Sequence, residues 1–264
     1  MPRLPVWLIY LTIVVAMLVV ALGRREHANA PRPPPPVPGA DQTPIAPTSP
    51  FANAPLVRLP DAAKAARGTA FSMNDRGVWL TAKTVVKRCA RPAMVVADGW
   101  AAPAKIRAVQ GDIAVLTTDA GAPALPLAIA ARPRSGDNGF LAGFSRGGPG
   151  EVAALYLGLD AGRERLAWAE IGRTDGLKDP LPGLTGGPLL NAAGEVAGMA
   201  LGDAPRRGRL DATTREALTE ALAAAKLLRS TAEPGQPITL DNYGMAADSL
   251  RRDLSVVELV CLPR

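Results

Sequence analysis

The stretch GLTGGPLLNAAGEVAGMALG, residues 183–202, decides the fold of this 264-residue chain. It begins with a glycine-rich turn around Thr185, which leads into the apolar run Pro188–Leu190. A second turn at Gly194 leads into another apolar run, Val196–Leu201. Short apolar runs bounded by glycine turns are typical of β-strands, so the stretch predicts two short strands.

Comparable runs precede this stretch from about residue 66 onward, each bounded by turn residues. They are Gly68–Ser72, Val78–Ala82, Met94–Ala97, Ile106–Val109, Ile113–Thr117, Gly139–Gly143, Ala153–Leu157 and Ala167–Ile171. Many short strands at near-regular spacing predict an all-β barrel or sandwich, and not a parallel sheet with crossover helices.

After the last of these runs the pattern becomes that of a helix. Residues 211–229 read DATTREALTEALAAAKLLR, and Asp211 or Thr213 is expected to cap the amino end. Helical spacing places three apolar residues on one face, namely Leu218, Leu222 and Ala225.

The composition limits the possible chemistry. Hydrophobic residues make up 48% of the chain, which excludes global disorder, and the two cysteines are too few for a cysteine-only zinc site. The single histidine, His27, lies before the region of strand-like runs. The folded part therefore has no imidazole to act as a general base or metal ligand, and we expect neither a metal nor a cofactor.

The charge is modest. Thirty basic and 24 acidic residues give a formal net charge of +6, half of which falls within residues 1–58. No basic run interleaved with aromatic residues occurs in the sequence, so nucleic-acid binding is not expected.

The amino-terminal region contains a candidate membrane segment. Residues 6–22, VWLIYLTIVVAMLVVAL, form an uncharged apolar run just long enough to cross a bilayer. We interpret residues 1–30 as a transmembrane signal anchor, with a cleaved signal peptide as the alternative. The arginines flanking the run slightly favour a cytoplasmic carboxyl side; they are Arg3 before it and Arg24 and Arg25 after it.

The rest of the chain divides into three parts. Residues 31–60 hold eleven of the 26 prolines and predict a stiff, extended spacer, with a ligand for proline-binding modules as the alternative. Residues 61–230 hold the strand-like runs and the helix. Residues 231–264 are expected to be a C-terminal extension with a short helix near 241–252 and a strand near 255–261.

Three stretches carry a family pattern in a fixed order: GTAFSMNDRGVWLTAKTVV at 68–86, GDIAVL at 111–116, and the stretch at 183–202. Together they resemble the trypsin/chymotrypsin-like serine proteases, most closely the bacterial HtrA/Deg-type branch. In that family the three stretches carry the base in Leu-Thr-x-x-His-Val-Val, the acid, and the nucleophile in Gly-x-Ser-Gly-Gly-Pro. The resemblance implies a trypsin-like double β-barrel. Together with the sequence patterns, the predicted fold is mostly β, with this barrel followed by a C-terminal helix and preceded by one transmembrane helix.

The sequence departs from the family pattern at two of the three catalytic positions. Thr84 stands where the base histidine is needed, Asp112 keeps the acid, and Thr185 replaces the nucleophilic serine. A threonine hydroxyl at position 84 cannot take up and return the proton, and Thr185 then has no base beside it. The resemblance still implies an oxyanion-type pocket, because Gly183 and the amide of Thr185 match the family's donors.

Two lysines are candidate substitutes for the missing base, and one acid is a candidate specificity residue. Lys83 adjoins Thr84, but adjacent side chains on a strand point to opposite faces, so Lys83 is expected to face away from the cleft. Lys178 precedes the nucleophile loop and stays open as a base. Asp179 lies six residues before Thr185, the offset of the specificity acid in trypsin-type members, although a solvated loop carboxylate is the simpler interpretation.

The two cysteines, Cys89 and Cys261, either form a disulfide or remain two buried thiols. A disulfide requires an oxidising compartment, so we expect a single-pass inner-membrane protein with its domain in the periplasm. The expected function is that of a membrane-anchored pseudoprotease that binds a protein or peptide, alone or as a subunit of a larger membrane complex. The alternative is an active endopeptidase that uses Thr185 as nucleophile.

Overall fold

The computed structural model describes residues 48–60, 68–128, 132–145, 148–162, 164–173, 181–202, 208–227 and 233–263. All of these belong to one compact unit, residues 43–264. No helix in the described part of the chain is long and apolar enough to cross a bilayer. The apolar run at 6–22, His27 and most of the expected spacer lie outside the described residues.

The described residues form fourteen strands and four short helices, and the expectation of a mostly β fold is confirmed. The strands are β1 (Val57–Arg58), β2 (Gly68–Asn74), β3 (Val78–Ala82), β4 (Pro92–Ala97), β5 (Trp100–Pro103), β6 (Lys105–Gln110), β7 (Ile113–Thr117), β8 (Asn138–Ser145), β9 (Gly148–Asp160), β10 (Arg165–Arg173), β11 (Pro188–Leu190), β12 (Val196–Leu201), β13 (Arg209–Thr213) and β14 (Val256–Cys261). The helices are α1 (Lys83–Val86), α2 (Leu181–Leu184), α3 (Arg215–Ala224) and α4 (Tyr243–Arg252).

The strands form two antiparallel layers. The first sheet has eight strands in the order β1-β5-β4-β14-β2-β3-β7-β6. The second is a closed six-stranded barrel in the order β10-β13-β12-β11-β8-β9. Strands β2 and β14 of the first sheet contact β8 of the barrel. The loop at 183–187, which carries Thr185 and leads into β11, lies where these two layers meet.

The C-terminal helix of the predicted domain begins later than expected. Residues 209–213 form strand β13, in which Asp211 pairs with Ala167 of β10 and Ala212 with Ala200 of β12. Pairing on both edges outweighs the local helical pattern at the start of the segment. The cap is therefore Thr214, whose hydroxyl accepts a hydrogen bond from the Ala217 amide at 3.2 Å.

The predicted apolar face of this helix is confirmed. Leu218 and Leu222 are buried against the core, and Ala225, just past the end of α3, is 5% exposed. Helix α3 packs against β6 and β7 of the first sheet and against β12 of the barrel, so it covers the junction between the two layers.

The boundary expected at residue 230 does not mark the end of the β domain. Strand β14 lies between β2 and β4, with Val257 opposite Ala70 and Val260 opposite Ala93. Its apolar side chains fit a central position, since Val256 and Val257 are fully buried. The first sheet is thus completed by the last strand of the chain.

The end of the expected spacer also packs onto the domain. Phe51 is fully buried, with its ring centroid 6.1 Å from that of Trp79. Val57 then pairs with Ala101 in the two-stranded contact of β1 and β5. The apolar residues at 51–59 therefore end the spacer before residue 60, because they bury surface that an extended linker would leave in water.

Cys89 and Cys261 are joined in a disulfide with a Cα–Cα distance of 5.6 Å and a sequence separation of 172 residues. It links the turn after α1 to the end of β14. Next to it, the Leu262 amide donates to the Arg91 carbonyl at 2.9 Å. The C-terminal strand is thus fixed covalently as well as by its pairing.

We expect removal of this disulfide in the Cys89→Ala/Cys261→Ala variant to lower the free energy of unfolding by about 4–5 kcal/mol, because the cross-link restricts a long loop of the unfolded chain. Urea denaturation of the variant and of the oxidised wild-type chain measures the difference. Equal midpoints with equal slopes would contradict the assignment of this stabilisation to the disulfide.

Candidate active site

The structure brings the base and acid positions next to each other. The turn α1, which carries Thr84, follows directly after β3. Its first amide, that of Lys83, donates to the carbonyl of Asp112 at 2.8 Å. Asp112 itself precedes β7, which pairs with β3 in register from Ala82 opposite Ile113. Strand pairing thus holds the two positions together.

The nucleophile-position loop reaches the same place through Gly68 and Gly186. A Cβ added at Gly68 would lie 2.5 Å from a methyl of Val85 and 2.7 Å from the carbonyl oxygen of Thr185. One added at Gly186, which has a φ of +85°, would lie 2.9 Å from the Ala82 amide. Glycine at both positions is what allows the 183–187 loop to approach the end of β3 and α1.

Thr84 does not lie on a strand. Residues 83–86 form the helical turn α1, in which both Lys83 and Thr84 are exposed and Val85 and Val86 are buried. The strand geometry assumed for Lys83 and Thr84 does not occur here, because neighbouring side chains on a helix are about 100° apart rather than opposed. Both side chains project into solvent.

Asp112 forms an ion pair with an arginine that no sequence pattern identifies. Arg165, on β10 of the barrel, donates from Nη2 to Asp112 Oδ2 at 2.6 Å. Its Nη1 lies 3.9 Å from Oδ2 of Asp211, on the adjacent strand β13. The Arg165 side chain is 16% exposed, so this ion pair joins the first sheet to the barrel in a partly desolvated setting.

No local pattern marks Arg165 as a partner of Asp112, because the two residues are 53 positions apart in sequence. The only local signal for its position is the alternation of side-chain faces along β10, and this signal is weak. Once the pairing of β10 with β13 is known, Arg165 is placed opposite Thr213, at the end of the barrel that meets Asp112.

Thr185 is buried, with 5% of its surface exposed. Its side chain packs against the backbone of Gly202, where an added Cβ would meet the Thr185 hydroxyl. Its carbonyl accepts a hydrogen bond from the Thr69 amide at 2.9 Å. The nucleophile position is thus enclosed between β2 and the end of β12, and little of the side chain is open to an incoming carbonyl.

Thr69 ties the loop to both layers. Its hydroxyl donates to the Gly183 carbonyl at 3.1 Å and accepts from the Phe144 amide of β8 at 3.0 Å. Gly183 lies in the helical turn α2, and the Gly187 amide closes the following turn by donating to the Leu184 carbonyl at 2.9 Å. The oxyanion role of the Gly183 and Thr185 amides stays a prediction.

A polar cleft of about 500 Å³ opens on the acid side of the site. Its charged lining residues are Asp112, Arg132, Glu164, Arg165, Glu216 and Glu220. Neither Thr84 nor Thr185, both within the described residues, lines it. Lys178 and Asp179, the other candidates, fall in 174–180 and lie outside the described residues.

Comparison with known proteins agrees with the fold described above. The family model "Trypsin-like peptidase domain" matches residues 68–199. Among solved structures, the chain is similar to the serine endoprotease from Yersinia pestis, with a TM-score of 0.50 and 23% identity over 60% of this chain and 57% of that one. It is also similar to the HtrA-type protease AlgW with decapeptide, with a TM-score of 0.51 and 20% identity over 61% of this chain and 51% of that one.

The chain therefore spans a little over half the length of these structural neighbours. At such identities the likeness concerns the fold. A comparison with curated proteins gives no significant match.

We expect Arg165→Met to lower the free energy of unfolding by about 2 kcal/mol, because it removes a charged hydrogen bond between the two layers. Asp112→Asn is expected to cost about 1 kcal/mol or less, since its side chain is 46% exposed. A double-mutant cycle in urea measures their coupling, expected at about 1 kcal/mol.

The control for that cycle is Arg107→Met, which removes an exposed arginine from β6 and should change stability little. A coupling near zero would mean that the ion pair does not hold the layers together.

Proposed function

The chain belongs to the trypsin-like peptidase family, with the barrel fold of the HtrA-type proteases, and on that premise we propose that it is a membrane-anchored pseudoprotease acting as a binding or scaffold subunit in the cell envelope. The observation that carries this proposal is the partner of Asp112, the residue at the acid position. Asp112 is paired with Arg165 at 2.6 Å rather than facing an imidazole.

The base position supports the proposal on chemical grounds. General-base activation of a hydroxyl needs a group whose pKa lies near the working pH and which can both accept and return a proton. Thr84 is not such a group, and the only histidine in the sequence is His27. Lys83, the residue before Thr84, is exposed on α1.

The nucleophile position supports it on steric grounds. A threonine carries a methyl group beside its hydroxyl, and the Thr185 side chain is already packed against Gly202. Attack on a carbonyl requires a near-approach of reacting atoms and a base within hydrogen-bond reach. The loop that is retained from the family can still position a bound peptide without cleaving it.

The alternative function is an endopeptidase with Thr185 as nucleophile and an unusual base. It requires a base that reaches the hydroxyl of Thr185, a residue that is 5% exposed, and the sequence offers Lys178 as a candidate. The two functions are separated by one experiment on the full chain in detergent, with fluorescent casein as substrate and a fluorophosphonate as an acylating probe.

We expect the wild-type chain to show neither casein hydrolysis nor labelling. The Thr84→His/Thr185→Ser variant should gain both, by about 10²-fold or more over background, because it restores base and nucleophile in the retained frame. Adding Arg165→Gln should raise the gain further by releasing Asp112 to orient the imidazole.

The matched control is Thr84→His/Thr185→Ala, which restores the base without a nucleophile and should stay inactive. Hydrolysis by the wild-type chain that disappears in Thr185→Ala would overturn the pseudoprotease proposal and favour the alternative.

We further propose that residues 6–22 anchor the chain in the inner membrane with the domain in the periplasm. The apolar run supports the anchor, and the Cys89–Cys261 disulfide supports an oxidising compartment. In whole cells, Cys89 and Cys261 should resist alkylation until a reductant is added, whereas a Cys89→Ser chain should show one reactive thiol. Two thiols that react without reductant would place the domain in the cytoplasm instead.

A further inference from the structure

A groove of about 430 Å³ lies beside the C-terminal helix and shares no lining residue with the triad positions. It is bounded by the segment 123–126 that connects the two layers, by the end of β11, by residues 233–238 and by one face of α4. A volume of this size falls within the range of about 300–1,000 Å³ that is typical of ligand sites.

The floor of the groove is apolar. Leu125, Leu190 and Ile238 line it and are themselves 2–5% exposed, so each presents only an edge to the groove. Helix α4 adds Ala246 and Leu250 to the lining. A bound apolar side chain would therefore bury its surface against fixed aliphatic groups.

The walls are fixed by hydrogen bonds to backbone carbonyls. The Leu125 amide donates to the Ser72 carbonyl at 3.0 Å, and the Ser255 hydroxyl donates to the Pro123 carbonyl at 2.9 Å. On the far wall, the Ile238 amide donates to the Ala192 carbonyl at 2.9 Å. The groove is thus preformed, which lowers the entropy lost on binding.

Helix α4 is held with one face toward the groove. Arg251 is 9% exposed and anchors the helix to the barrel by donating to the carbonyl of Gly143 at 3.2 Å and to Glu151 Oε2 at 3.0 Å. The face turned to the groove carries Ala246, Ser249 and Leu250 at helical spacing, and Asp253 follows directly after the helix.

The charges around the groove have one sign. Asp75, Glu233 and Asp253 line it and are exposed, and no lysine, arginine or histidine of the described residues does so. Arg76 and Arg252 neighbour two of these acids in sequence but do not line the groove. Three carboxylates around an apolar floor favour a ligand that carries positive charge beside an apolar group.

We propose that this groove binds an extended peptide segment of a partner protein in which a lysine or arginine stands next to an aliphatic residue. The aliphatic side chain occupies the floor formed by Leu125, Leu190 and Ile238, and the cation lies among the three carboxylates. The inference rests on the proposed binding function and names its partner chemistry.

Exposed apolar side chains outside the groove favour a peptide over a small molecule. Met245, which precedes Ala246 on α4, is 69% exposed, the largest value among the exposed large apolar residues of the described chain. Leu240, two residues after Ile238, is 49% exposed. A peptide longer than the groove can cover these side chains as well, whereas a small ligand fills only the cavity.

The test is a fluorescence-anisotropy titration of the full chain in detergent with the labelled peptide Gly-Ser-Ala-Lys-Leu-Val-Arg-Ala-Ser-Gly. Two matched peptides replace either the two basic residues by glutamate or the two aliphatic residues by serine. We expect binding of the first peptide that weakens with added salt, and at least tenfold weaker binding of both others.

The groove variant Asp75→Asn/Glu233→Gln/Asp253→Asn changes exposed side chains only, and it should weaken binding at least tenfold. The control Asp98→Asn/Asp119→Asn/Glu220→Gln removes the same charge from exposed positions that do not line the groove, and it should bind within about twofold of wild type. Ala246→Trp, which fills the groove, should abolish binding.

Absence of binding to the wild-type chain, or equal binding by the groove and control variants, overturns the proposal. So does equal binding by the serine-substituted peptide, because the apolar floor would then play no part. These outcomes leave the pseudoprotease proposal untouched, since that proposal depends on hydrolysis and on Thr185.

Discussion

The pairing of β14 with two strands at once is the constraint on which the rest of the molecule depends. Without Val256–Cys261, strands β2 and β4 would each lose a neighbour in the middle of the first sheet. Strand β2 also carries Thr69, whose hydrogen bonds hold the loop at 183–185. The sheet that supports the loop at 183–187 is therefore complete only when β14 has paired with β2 and β4, and the disulfide keeps β14 in place.

The elements that could be predicted are those whose local pattern agrees with their tertiary role. The bounds of β3, β7, β11 and β12 follow from short apolar runs between turn residues, because these strands are buried on both faces. At β13 the sequence predicts helix, because these residues run without a turn signal into α3. Only its pairing with β10 and β12, which the local sequence does not reveal, makes this segment a strand.

The candidate site also contains residues that the sequence predicts and residues that it does not. Thr84, Asp112 and Thr185 were found because they occupy fixed places in a family pattern, and contacts through Gly68 and Gly186 bring their segments together. Arg165 was missed because a cross-layer ion pair has no sequence period or spacing of its own. The groove beside α4 was missed for the same reason, since its walls come from five separate parts of the chain.

The Asp112–Arg165 pair also changes what a retained acid means. In a working triad the carboxylate orients an imidazole, whereas position 84 of this chain is a threonine. Here the same carboxylate forms a charged hydrogen bond to the opposite layer, and that role needs no histidine. An intact acid position is therefore no evidence for residual activity in this chain, because its structural partner alone accounts for it.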